Sequence, residues 1–137
     1  MRTYNLSFFK TLYEYSPIAL WIVDFTKILK YIEDHKDKLG NDIIAYFSEH
    51  PDEAAECAKL LNVTNVNRSA LKLTEAKSLE DLTQHLQIVV SNQALITLME
   101  TAAAHYRGVR RFEKNGFIGT VNEEQKHVLI SWAVLEE

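Results

Sequence analysis

The side chains that could take part in chemistry are few in this sequence, and they are widely spaced. They comprise one cysteine, Cys57, and five histidines, namely His35, His50, His85, His105 and His127. A single cysteine cannot form a disulfide within the chain, and it excludes a metal site built from several thiolates. The motifs of serine hydrolases, phosphate-binding loops and zinc proteases are absent from the sequence. We therefore predict no catalytic residues, no metal ligands and no enzyme activity in this chain.

Length and composition narrow the class of protein further. The chain has 137 residues, enough for one compact domain, with 47% apolar and 25% charged side chains. Its 15 basic and 19 acidic residues give a formal net charge of −4, which argues against nucleic acid, whose phosphates need a basic surface. No apolar run approaches the roughly 18 residues of a membrane span, and the N-terminal sequence does not resemble a secretion signal. We expect a cytoplasmic protein.

The helices that would position these side chains follow from apolar periodicity and from capping residues. In the first one, over residues 4 to 15, apolar side chains cover more than half of the circumference, so this helix must bury more than one side. The other helices are predicted from their caps and stops: residues 26 to 39 before Gly40, a short turn after Asn41 or Asp42, a helix from Pro51 to Leu61, and those capped by Asn67, Ser78 and Ser91, the last over 92 to 107.

Four strands are predicted, at residues 18 to 23, 62 to 66, 109 to 121 and 126 to 136. The first is a continuous apolar run, which predicts a strand buried on both faces. The last two flank a turn and form a long antiparallel hairpin. In its second arm Val128, Ile130 and Trp132 alternate with Leu129, so opposite faces carry the two sets. Because helices and strands are largely segregated along the chain, we predict an α+β fold.

Several short motifs resemble the PAS domain, a sensor module of bacterial signalling proteins, in a subgroup with a helical insertion between the first two strands. In chain order the motifs are Ser16-Pro-Ile-Ala-Leu-Trp21 with Asp24-Phe25, Tyr46-Phe-x-x-His50-Pro51-x-x-Ala54, Val66-Asn67-x-x-Ala70-Leu71, Ala76-Lys-Ser-Leu79 and Ser131-Trp132-x-Val134-Leu135. The resemblance covers about residues 16 to 135 and agrees with the order of elements above.

The resemblance implies an antiparallel five-stranded sheet with helices over one face. Such domains sense a small ligand or a partner and relay its presence to a histidine kinase or a cyclic-dinucleotide enzyme, here expected C-terminal to this chain. The sequence departs from the family in two places. Leu73-Thr-Glu-Ala76 lacks a glycine that many relatives carry, and the chain ends at Glu137, before the family's fifth strand and its Asp-Ile-Thr motif. We therefore expect residues 17 to 137 to form a PAS-like domain without its last strand, which would leave a gap between the first and fourth strands.

Cofactor binding can also be judged from the resemblance. His105 is nearest to the helix that carries the haem ligand in some PAS domains, but its neighbours, Ala-Ala-Ala-His-Tyr-Arg-Gly, contain no haem motif. Flavin-binding PAS domains use a cysteine within Asn-Cys-Arg-Phe-Leu-Gln, whereas Cys57 lies in Ala-Glu-Cys-Ala-Lys. We therefore expect neither haem nor flavin, and we interpret Cys57 as a structural thiol.

Three residues are candidates for contact with a small ligand. Trp21 and Trp132 would belong to one sheet, where aromatic side chains can line a pocket, with plain core packing as the alternative. Asn65 would reach a ligand only if its side chain pointed inward. A sensor of a small ligand or partner is thus the leading hypothesis, and a dimerisation or protein-interaction module that binds no ligand is the alternative.

The N-terminal helix, residues 1 to 16 with its linker, is predicted to mediate a homodimer. Its apolar arc is too wide to be covered by docking on one surface. The candidate interface residues are Phe8, Phe9, Leu12 and Tyr13.

Overall fold

The structure of the protein, a computed structural model, describes residues 5 to 135. This part of the chain forms nine helices and four strands, which confirms the predicted α+β class. The elements are α1 Leu6–Tyr15, β1 Trp21–Asp24, α2 Thr26–Asp34, α3 Lys36–Leu39, α4 Ile43–Glu49, α5 Pro51–Ala58, β2 Asn62–Val66, α6 Arg68–Thr74, α7 Leu79–Gln84, α8 Leu86–Val89, α9 Gln93–Tyr106, β3 Arg111–Gly119 and β4 Gln125–Ala133. None of these helices is long and apolar enough to cross a membrane.

The four strands form two separate antiparallel sheets of two strands each. In the first, β1 pairs with β2 from Trp21 opposite Val66 onward, with an irregularity after Ile22. In the second, β3 and β4 pair without interruption from Arg111 opposite Ala133 to the turn. No pairing joins β1 to β4 within residues 5 to 135, so one edge of each of these strands keeps backbone donors and acceptors outside a ladder.

The first strand differs from its prediction in position and in burial. It begins at Trp21 and ends at Asp24, whereas the apolar run predicted residues 18 to 23. Within β1, Ile22 is 41% exposed and Asp24 is exposed, whereas Trp21 and Val23 on the other face are half-buried. The prediction of a strand buried on both faces was wrong because the face that carries Ile22 is open to solvent.

Local signals at helix ends account for most of the helix boundaries. Asp42 caps α4, with its Oδ1 atom 3.0 Å from the backbone nitrogen of Ala45, and Gly40 ends the preceding helix at a φ of +71°. The helix predicted over residues 26 to 39 is divided at His35 into α2 and α3. The Nδ1 atom of His35 lies 2.7 Å from the carbonyl oxygen of Tyr31. A ring that competes for this carbonyl weakens the regular helical ladder at that point.

The cap of α9 was predicted wrongly. The Ser91 hydroxyl turns back and donates to the carbonyl of Ile88 at 2.7 Å, and Asn92 precedes the helix with a φ of +56°. The backbone N–H of Ala94 donates instead to the Gln125 side chain of β4, at 3.1 Å. The first turn of α9 is therefore capped by the hairpin, which lies more than thirty residues away in the sequence.

The core lies around α9, which packs on the hairpin and on the helices α2, α4 and α5. Small buried residues such as Ala102 and Ala103 let the neighbouring elements approach this helix closely. On the hairpin side, a Cβ atom at Gly116 would lie only 2.6 Å from Cγ2 of Thr97. As predicted, alternate residues of β4 face the two sides, and Leu129 on the outer face is 63% exposed.

Candidate functional site

The best candidate for a functional site lies between the two sheets, against the last turns of α9. The ring of His105 on α9 lies 5.7 Å from the ring of Phe25, centre to centre, and 5.5 Å from that of Trp132. Phe25 directly follows β1, and Trp132 lies near the end of β4. We call the space between these rings and Phe112 on β3 the inter-sheet cleft. Here residues at the ends of β1 and β4, which are not paired with each other, both contact His105 of α9.

Trp132 is the most informative residue of the inter-sheet cleft. Its indole is half-buried and lies 5.8 Å from the ring of Phe112, its partner across the hairpin. The Nε1 atom is fully buried, and no described residue accepts a hydrogen bond from it. A buried donor without an acceptor costs about 1–3 kcal/mol. A ligand whose hydrogen-bond acceptor reached Nε1 would remove this cost and would bind more tightly for that reason.

An open cavity of about 430 Å³ lies at the open end of the hairpin, and Trp132 is one of its lining residues. Four of its lining residues are exposed and belong to the outer face of the hairpin, and the full lining is Arg111, Phe112, Glu113, Ser131, Trp132 and Ala133. Volumes of roughly 300–1,000 Å³ are typical of small-molecule sites, as are apolar walls with a few placed polar groups. The volume of this cavity falls in that range, and the unpartnered Nε1 atom of Trp132 would require a hydrogen-bond acceptor such as a carbonyl or carboxylate oxygen.

The two tryptophans do not share one sheet, contrary to what the family resemblance implied. Trp21 packs against the core from β1 in the first sheet, whereas Trp132 lies in the second. Asn65 of β2 is exposed, and it lies opposite the exposed Ile22 of β1. Asn65 was predicted to contact a ligand only if its side chain pointed inward. Because the side chain is exposed, this condition is not met.

The contact of His105 with the hairpin was not predicted, because this histidine was interpreted from its place near the end of a helix and weighed as a haem ligand. A signal was present in the sequence, since Thr97, Thr101 and His105 follow each other at intervals of four residues. Side chains at this spacing lie on one face of a helix. Thr97 on that face accepts a hydrogen bond from the backbone of Phe117 in β3, at 3.0 Å. The spacing therefore indicated that His105 also faces the hairpin.

The remaining candidates from the sequence lie elsewhere in the molecule. Cys57 is fully buried, and its burial raises the pKa of the thiol to about 12, as fits the predicted structural role. Within residues 5 to 135, no three side chains of histidine, cysteine, aspartate or glutamate are grouped so that they could hold a metal ion. On α1, Phe8, Phe9 and Leu12 are exposed, whereas Tyr13 is half-buried against the domain.

Comparison of the chain with protein-family models, with curated proteins and with solved structures finds no match in any of the three. The resemblance to PAS domains therefore rests on the motifs quoted from the sequence, and it stays a prediction. The geometry of the inter-sheet cleft and the exposure of α1 are the observations from which a function can be argued.

Proposed function

We propose that this chain is a regulatory sensor domain, of the PAS-like kind that its motifs indicate. It would bind a small ligand in the inter-sheet cleft and relay the bound state to an effector domain further along a longer protein. A histidine kinase or a cyclic-dinucleotide enzyme is the expected effector. The observation that carries the proposal is the buried Nε1 atom of Trp132, which has no acceptor in the described structure and belongs to a ring that contacts His105 and Phe112.

The position of the cleft supports a sensing role because its walls belong to two sheets that no strand pairing joins within residues 5 to 135. A ligand that accepts a hydrogen bond from Trp132 would also contact the neighbourhood of His105, and His105 in turn contacts Phe25 at the end of β1. Binding would thus favour one arrangement of the two sheets relative to α9. A ligand shifts such an equilibrium only by the difference in its affinity for the two arrangements.

The test compares two variants that each keep one tryptophan. Ring compounds that carry a carboxylate or a carbonyl group are screened by thermal unfolding against the parent, Trp132→Phe and Trp21→Phe. A ligand present at a hundred times its Kd adds about 2.7 kcal/mol to the free energy of unfolding. In Trp21→Phe we expect the ligand to stabilise the protein as it does the parent and to change the fluorescence of Trp132. In Trp132→Phe we expect the affinity for the ligand to fall at least about tenfold, because a hydrogen bond is lost.

Two results would count against the ligand-sensing function. One is a screen in which no compound of this class raises the melting temperature of the parent protein. The other is a compound that stabilises all three proteins equally, because its site would then lie outside the inter-sheet cleft.

A second candidate function, a dimerisation module without a ligand, is favoured by the exposure of α1. This helix has no buried residue, and Leu6, Phe9, Leu12 and Tyr15 are each more than half exposed. An isolated helix of ten residues with such a surface gains stability when a second helix covers it. In this case two copies of the chain would align two effectors, and α1 substitutions would abolish the dimer while no compound would alter stability.

A further inference from the structure

Two hydrogen bonds between α1 and the rest of the domain lie at its C-terminal turn. None of the ten residues of this helix is buried, and only Tyr13 and Glu14 are half-buried. The Tyr13 hydroxyl lies 3.3 Å from the carbonyl oxygen of Leu20, to which it donates. The polar contacts of the last turn therefore hold the C-terminal end of α1 on the domain.

The side chain of Asn67 lies at the centre of this attachment. It is completely buried, with 0% exposure, at the junction of β2 and α6. Its Oδ1 atom accepts hydrogen bonds from the backbone nitrogens of Leu20, at 2.9 Å, and Ala70, at 3.0 Å. Its Nδ2 atom donates to the carbonyl oxygens of Tyr13 and Ile18, both at 2.9 Å. One carboxamide thus joins α1, the segment before β1, and the start of α6.

The two halves of this carboxamide have separable tasks. The oxygen caps α6, and any good N-cap residue with an oxygen acceptor can do this. The nitrogen holds the last turn of α1, and this needs a donor that an aspartate or serine cannot supply in the same way. Two other polar contacts lie near this junction. The Ser69 hydroxyl donates to the carbonyl oxygen of Ser16, just after α1, at 2.5 Å, and the Arg68 guanidinium lies on the surface, 3.5 Å from Glu14 and 4.4 Å from the ring of Tyr15. Asn67 differs from both because its side chain bonds a backbone carbonyl within α1 itself.

We propose that the Nδ2 group of Asn67 is the latch that docks α1 on the domain, so that its loss releases α1 as a unit while the core stays folded. Asn67 is then a positioning residue that couples the β1–β2 sheet and α6 to the orientation of α1. The docking role rests only on the observed hydrogen bonds. Its use in signalling additionally rests on the proposed function, in which α1 mediates the dimer.

The substitution Asn67→Asp separates the two tasks. It keeps an oxygen for the N–H groups of Leu20 and Ala70 but removes the donor to the carbonyls of Tyr13 and Ile18, so α1 should undock. An undocked helix of this length is marginally stable in water and frays. We expect hydrogen–deuterium exchange of the α1 amides to accelerate about tenfold or more, the effect of losing one or two hydrogen bonds, with α9 amides changed much less.

A matched control and a second variant keep the test decisive. Asn65→Asp makes the same chemical change two positions earlier on an exposed side chain, and it should leave the exchange of α1 unchanged. Asn67→Ser removes the Nδ2 group without burying a charge, and its single, shorter hydroxyl cannot both cap α6 and bond the carbonyl of Tyr13, so it should accelerate α1 in the same way if Asn67→Asp does not fold. Two results would overturn the latch. One is that the α1 amides of the folded Asn67 variants exchange as in the parent. The other is that the α1 and α9 amides are accelerated equally in both variants. These readouts need no ligand and no effector, so the proposed function can fail independently.

Discussion

The imidazole of His105 and the indole of Trp132 lie 5.5 Å apart, centre to centre, with their planes inclined at 48°. The same imidazole contacts Phe25, which directly follows β1. His105 therefore joins the two sheets through side chains, although no strand pairing joins them within residues 5 to 135. Any movement of one sheet relative to the other has to change the surroundings of this histidine.

Truncation of His105 should consequently loosen both contacts. We expect His105→Ala to lower the free energy of unfolding by about 1–2 kcal/mol, since it deletes a ring from an aromatic cluster. In a Trp21→Phe background, the emission of Trp132 should shift to longer wavelength as water reaches the indole. Chemical denaturation and fluorescence measure the two effects, and His127→Ala, on an exposed residue of β4, is the matched control. Equal effects of the two substitutions would contradict the role of His105.

Gly116 is needed for the close approach of α9 to the hairpin. In Gly116→Ala the new Cβ atom would lie 2.6 Å from Cγ2 and 2.9 Å from Oγ1 of Thr97. Such overpacking destabilises a protein by about 1–3 kcal/mol. Adding Thr97→Ser removes the closer of the two atoms but keeps the hydroxyl that bonds Phe117, so the double variant should recover part of the loss. Thermal unfolding of the parent, the two single variants and the double variant tests this prediction. If the losses of stability in the two single variants simply add in the double variant, the new Cβ atom is not accommodated at Thr97.

The exposed face of α1 is expected to form the homodimer. Phe9→Glu and Leu12→Glu place a charge on this face, and burying a charge at an interface is unfavourable, so both should shift the protein toward monomer in sedimentation velocity. Lys10→Glu changes the charge of the same helix at an exposed polar position and should sediment like the parent. If Phe9→Glu and Leu12→Glu also sediment like the parent, α1 does not mediate a dimer.

Cys57 should be inert in the native protein. With the pKa of its thiol raised to about 12, the reactive thiolate is at least about a thousandfold rarer at pH 8 than for a free cysteine. Iodoacetamide should therefore modify Cys57 at an appreciable rate only after denaturation, as mass spectrometry would show. Rapid labelling of the folded protein would instead reveal local opening around α5.

We predict that one further strand could pair with the open edges of both β1 and β4. If about fifteen further natural residues supply a strand between them, backbone groups on both edges would become paired and the inter-sheet cleft would be enclosed. The longer protein should then melt at a higher temperature and self-associate less than residues 1 to 137. An unchanged melting temperature would mean that the two sheets do not share a missing strand.

Features that depend on residues within a few positions could be predicted from the sequence. Asn67 as the cap of α6, Gly40 as a helix stop and the alternation of Trp132 with its neighbours in β4 all appear in the structure. Each of these is decided by backbone dihedral preferences, by one short hydrogen bond or by the two-residue period of a strand. The α+β class follows because such local signals, taken in order, specify the elements.

Only the tertiary structure decided what those elements contact. In the structure Gln125, not Ser91, caps the first turn of α9, and one face of β1 is exposed. Trp21 and Trp132 lie in different sheets. The tertiary structure also brought the carboxamide of Asn67 to the carbonyl of Tyr13, across more than fifty residues. Contacts of this kind depend on the packing of many segments at once, and no periodicity or capping pattern encodes the partner of a side chain so far away in the chain.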